Sequence, residues 1–154
     1  MSQNKIAFIL ALILSGMILT MFIPAMLEAK ELTLIDHINS VRSKPLKEDK
    51  LLNEIALNRC KAMQEWTHEG WQPYANEIMY QYGRYGITQR YRIAGENLAL
   101  ANPGKVPTNK EWFDALQASV THKANNESLE YQKVGSAKCK NKVGNVTVLL
   151  FAGN

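Results

Sequence analysis

The sequence has little of what marks several common protein classes. It holds two cysteines in 154 residues, so one pairing is the most it can form and a dense disulfide framework is excluded. Its formal net charge is only +4, without the large clustered excess of Lys and Arg by which proteins usually neutralise phosphates, so no nucleic-acid partner is expected. Internal repeats and low-complexity tracts are absent, which sets aside solenoid architectures. No nucleophile stands out either. Ser119 and His122 lie close in sequence but lack an orienting third group, and Cys60 falls on an apolar helix face where a thiol is inert. The length leaves room for one ordinary domain and an appendage.

What is present is apolar sequence, 46% of the chain, and it is concentrated at the start. From Ile6 to Leu27 the chain is almost continuously apolar, with Ser15 and Thr20 as the polar interruptions. A run of about twenty such residues can cross a bilayer as a helix. Lys5 precedes it and Glu28, Lys30 and Glu31 follow, which places the N-terminus in the cytoplasm and the remainder outside. Residues 1–29 are therefore expected to be a signal-anchor or a signal peptide, and residues 30–154 the folded domain. Whether that domain is secreted or stays on the membrane through its N-terminal helix is left open. Ala29 suits a cleavage site, whereas Leu27 two positions earlier does not.

Beyond Glu31 the pattern turns amphipathic. Leu32, Ile35, Ile38 and Val41 recur at helical spacing, and Pro45 stops this first helix. A second helix is expected from about Asp49 to Trp66, with Leu52, Ala56, Cys60 and Met63 on its apolar face. A short helical stretch is expected over 75–82. Thr108 or Asn109 caps a third helix through Trp112 and Leu116. Near the C-terminus, 131–139 and 145–151 read as two strands joined by a turn at 141–144. Helices first and an antiparallel hairpin last predict an α+β fold.

Several of these landmarks form motifs. Ile38-Asn39-x-x-Arg42 runs into Pro45-Leu46-x-x-Asp49 and then Ala56; Met63 is followed by His68; Gly95-Glu96-Asn97-Leu98-Ala99 comes next. Then come Ser119-x-x-His122-Lys123-Ala124-Asn125 and Tyr131-x-x-Val134-Gly135. In this order and spacing they resemble the CAP superfamily, the group of SCP-like, cysteine-rich secretory, antigen 5 and pathogenesis-related domains, in its bacterial form. The chain departs from the pattern at three places. Leu116 stands where relatives often carry Trp, with Trp112 one turn earlier. Neither Glu111 nor Asp114 matches a second family glutamate. Asn126 and Glu127 replace an apolar pair.

The resemblance implies an α/β/α sandwich with an antiparallel sheet, and a cleft that gathers His68, Glu96 and His122. His68 and His122 would then be metal ligands, with zinc the expected ion and water completing its shell. The alternative is a structural polar cluster, with His68 at a helix C-terminus, where a cation is favoured, and His122 as a partner of Glu96. The implied function is an extracytoplasmic binding module; a metal-assisted hydrolase of peptide or envelope material and a structural envelope protein are the alternatives. No catalytic residue is assigned. Cys60 and Cys139 are either a disulfide or two buried thiols. Arg84, Arg90 and Arg92, interleaved with Tyr85 and Tyr91, are either a docking surface for an anionic lipid headgroup or envelope polymer or a solvated loop. His37 is expected to be a plain surface residue of the first helix.

Overall fold

A computed structural model of the chain describes residues 30–63, 86–142 and 144–154, and its compact unit spans Leu32–Asn154. The expected N-terminal helix, the helical stretch over 75–82 and His68 all lie outside the described residues. Among the described residues no helix is long and apolar enough to cross a membrane.

Helix α1, Leu34–Ser40, opens with a capping box in which the Thr33 hydroxyl accepts from the Asp36 amide and the Asp36 carboxylate accepts from the Thr33 amide. That arrangement satisfies two of the free donors of the first turn. The helix is shorter than its apolar spacing suggests: Leu32 and Val41 flank it and are exposed, while Leu34 and Ile38 are buried. The two-residue strand β1, Lys47–Glu48, leads into helix α2, Lys50–Ala62, whose N-cap is Asp49. Its carboxylate accepts from the amides of Leu51 and Leu52. Further on come the short helix α3, Ile87–Arg90, strand β2, Ile93–Leu100, and helix α4, Asn109–Ala118. Thr108 caps α4 in a second capping box with Glu111. Helix α5, Val120–Glu127, and the hairpin of β3, Lys133–Lys140, and β4, Asn145–Gly153, complete the chain.

The strands form one sheet in the order β1-β3-β4-β2. The expectation of an antiparallel sheet holds for β3 with β4 and for β2 with β4, and fails at one edge, where β1 runs parallel to β3. The cause is the route of the chain. β1 enters from α1 and α2 leaves it across the sheet, so β1 is not a hairpin partner of the strand beside it. Strand β2 was not expected from sequence at all. Gly95, Glu96 and Asn97 are poor strand formers, yet β2 pairs with β4 from Ile93–Gly153 to Leu100–Val146, so tertiary pairing overrides local preference.

The alternation of β4 organises two cores, one on each face of the sheet. Val146, Val148, Leu150 and Ala152 pack with Leu52, Ile55, Ala56, Cys60 and Met63 of α2 and its C-cap. Leu149 and Phe151 turn the other way, onto Leu34, Ile38, Trp112 and Leu116 of α1 and α4. The result is the expected three-layer sandwich. Contact between α2 and the sheet is close at Gly135, where an added Cβ would lie 2.2 Å from the Leu52 carbonyl carbon and 2.4 Å from the Asn53 nitrogen. Cys60 and Cys139 are bonded as a disulfide across 79 residues, with Cα atoms 6.0 Å apart. It ties the last turn of α2 to the end of β3. The Asn141 side chain donates to the Met63 carbonyl nearby.

Two outcomes test this packing. Reduction of the Cys60–Cys139 disulfide should lower unfolding stability by about 2–4 kcal/mol, the usual contribution of a native cross-link, read from urea denaturation with and without reductant. Gly135→Ala should cost about 3 kcal/mol by forcing α2 off the sheet, read from the same denaturation curves under oxidising conditions.

Candidate functional site

Strand β2 places its side chains alternately on the two faces of the sheet. Leu98 and Leu100 pack on the core under α2, whereas Ala99 packs on the opposite core. Glu96 therefore faces α2, and Asn97 faces the layer that holds α4 and α5. The motif thus serves two separate polar centres.

The first centre is an ion pair. Arg59 of α2 is 1% exposed, and its Nε donates to Glu96 Oε1 at 2.9 Å. Its Nη2 donates to Glu96 Oε2 at 3.4 Å, so both carboxylate oxygens are engaged. Glu96 keeps 16% of its side chain exposed. Burial pushes its pKa above the ordinary glutamate value, and the Arg59 guanidinium only partly offsets that. Such a pair is tolerated because each charge meets its opposite at hydrogen-bond distance; either one left alone would be severely destabilising. Among the described residues the buried Nη1 atom of Arg59 has no hydrogen-bond partner.

The second centre is a network of amides. Asn97 Nδ2 donates to the His122 carbonyl and to Asn126 Oδ1, both at 2.9 Å. Asn125 Nδ2 donates to Asn97 Oδ1 at 2.8 Å and to the Glu96 carbonyl at 3.1 Å. Asn126, fully buried, donates in turn to Gln117 Oε1 at 3.1 Å, and Gln117 donates to Glu127 at 3.0 Å. Of Asn126 and Glu127, which replace an apolar pair of the motif, the first thus holds α5 on β2 and the second ties it to α4. Arg42 reaches the same region, with Nη1 on the Asn126 carbonyl and Nη2 on the Tyr131 carbonyl. Asn39, its motif partner, brackets Leu46 through both amide and carbonyl. Gly95 is needed because the Tyr131 hydroxyl lies 2.4 Å from where a Cβ would stand.

His122 sits in the first turn of α5, half-buried, and burial lowers its pKa, favouring the neutral imidazole. The structure thus joins Glu96 and His122 through their backbones, by way of Asn125 and Asn97. His68, the third expected member, lies outside the described residues. Arg90 and Arg92 are exposed, and Tyr91 between them donates to Asp49 Oδ2 at 3.0 Å; Arg84 and Tyr85 lie outside the described residues. His37 stacks on Phe113 with ring centroids 5.7 Å apart. Sequence reasoning did not anticipate Arg59, although a signal was present. It falls seven residues after Leu52 and four after Ile55, in the apolar stripe of α2.

The described residues do not fit a divalent cation. Neutral imidazole at His122 is suitable chemistry for zinc. The Glu96 carboxylate, however, is held through both oxygens by a fixed positive charge, which would repel a metal ion at the same place. Among the described residues no group of three His, Cys, Asp or Glu side chains could hold one.

No family model matches the sequence, and no curated protein sequence is significantly similar to it. The fold has solved counterparts. An outer surface protein of Borrelia burgdorferi superposes with a TM-score of 0.60 at 21% identity, over 79% of this chain and 90% of that one. An extracellular protein containing an SCP domain from Bacillus anthracis gives 0.58 at 17% identity, over 79% and 39%. A cysteine-rich secretory protein from Staphylococcus aureus gives 0.60 at 17% identity, over 79% and 37%. The match thus spans less than two-fifths of the last two proteins and nearly all of the first. Three-layer architecture and these counterparts together establish that the chain has an SCP-like fold.

The raised pKa of Glu96 has a measurable consequence. Its native carboxyl holds a proton more tightly than the unfolded one. This group's contribution to stability is therefore greatest below the unfolded glutamate pKa and declines as pH rises through the raised native value. A carbon-13 titration of the Glu96 carboxyl should give a midpoint above that of an exposed glutamate. A midpoint below it would mean that Arg59 outweighs burial.

Proposed function

We propose that the chain is an exported binding module of SCP-like fold, secreted or held at the membrane by the apolar segment within residues 1–29, which retains a ligand and does not cleave it. The observation that carries this reading is the double engagement of Glu96 by Arg59. A carboxylate that works as a general base, or that holds a catalytic metal, has to exchange its proton or present an oxygen lone pair. This one is committed to a guanidinium. Ser119, three residues before His122, has its hydroxyl against Thr121 Oγ1 at 3.3 Å, an arrangement that supplies no base.

Export is supported by the Cys60–Cys139 disulfide, since such bonds persist in oxidising compartments, and agrees with the extracellular and outer-surface names of the structural counterparts. The partner is taken to be a lipid surface or envelope polymer, met in part through the exposed Arg90 and Arg92. A metal-assisted hydrolase is the second reading, and it requires Glu96 to leave Arg59.

Incubation of the full chain with isolated bacterial cell envelopes and with anionic vesicles tests this directly. The chain should sediment with one or both and release no soluble peptide or glycan fragments. The double substitution Arg90→Ser and Arg92→Ser should weaken vesicle binding several-fold at low salt. Fragment release that Glu96→Gln abolishes would instead establish the hydrolase.

A further inference from the structure

A guanidinium carries five N–H donors in a fixed plane. In Arg59 the Nε and one Nη2 donor are used by Glu96, while Nη1 is buried and has no partner among the described residues. Most buried donors in folded proteins find a partner, and an orphan costs free energy until it does. Its surroundings restrict what that partner can be. Arg59 and Glu96 together sum to zero charge. An added carboxylate would leave a net negative charge in a buried place, and an added metal ion a net positive one. Either carries the desolvation cost of an unbalanced buried charge. A neutral oxygen acceptor incurs neither cost and satisfies the donor. The amide carbonyl is the strongest common acceptor of that kind, and its planar lone pairs match the plane of the guanidinium. Glu96 keeps part of its side chain exposed, and a ligand reaching Arg59 would have to enter beside it.

We infer that Arg59, oriented by Glu96, is a ligand-binding residue whose Nη1 donates to the amide carbonyl of a peptide or an N-acetylated sugar. This rests on the binding-module reading and supplies its ligand class. Cys60, the next residue, is fixed by the disulfide, so the arginine is held at a defined point on the face of the sheet.

The test uses the full chain with arginine side-chain nitrogens labelled, observing the Arg59 Nε–H and Nη–H signals by NMR. Four probes are added separately: N-acetyl-alanine amide, N-acetylglucosamine, acetate and Zn²⁺. An amide probe should move the Arg59 signals saturably, and which of the two does so separates peptide from sugar. Acetate and Zn²⁺ should leave them in place. Arg59→Lys, which keeps the charge opposite Glu96, should weaken amide binding about tenfold by calorimetry, the equivalent of one hydrogen bond. Because the wild-type signals are read directly, the result stands even where Arg59→Lys fails to fold. The inference is overturned by Zn²⁺ or acetate moving the Arg59 signals more than either amide, or by all four leaving them unchanged. Envelope binding that persists beside unmoved Arg59 signals would leave the module reading intact and remove only this ligand class.

Discussion

Neighbouring residues on a strand cannot face the same way, and the polar chemistry of this molecule follows from that constraint at Glu96 and Asn97. One side chain is sent under α2, where only a guanidinium could keep its charge tolerable. The other is sent toward α5, where a set of side-chain amides receives it. The sheet between them is lined by the central strand β4, buried along nearly its whole length. Neither centre can shift without disturbing a hydrophobic layer.

The two centres differ in kind. The amide network is neutral and distributed: Asn97, Asn125, Asn126 and Gln117 exchange hydrogen bonds so that each has a partner. It fastens a short helix, rich in asparagine and poor in large apolar residues, to an edge strand. The ion pair is concentrated, with one arginine and one glutamate meeting at 2.9 Å, and the arginine Nη1 has no partner among the described residues. A fully satisfied network gives rigidity. The surplus donor is what distinguishes a site capable of recognition from one that only supports.

Much of this arrangement was legible in the sequence. Amphipathic spacing located α2 and the third helix to within a few residues, and of the two caps expected for the latter Thr108 is the one the chain uses. The turn at 141–144 appears as expected, closed by Asn141 and Gly144. Strand β2 was hidden because its stability comes from β4, far along the chain, and not from its own residues. The parallel edge was hidden because a two-residue strand carries no periodicity. At the site, the motif pointed to Glu96 and to the segment of His122, which the structure links through Asn97 and Asn125. Its link to a metal ion did not foresee an arginine, because pairwise contact across 37 residues leaves no local trace except one charge in an apolar stripe.

The disulfide has a reach beyond cross-linking. Cys60 immediately follows Arg59, so the covalent bond that pins α2 to β3 also sets where the guanidinium stands relative to the glutamate across from it. The chemical surroundings of the two sulfurs and the alignment of the salt bridge are thereby mechanically joined. A chain that had not yet met an oxidant would hold its charged centre with a looser helix end, so the binding geometry matures with the covalent structure.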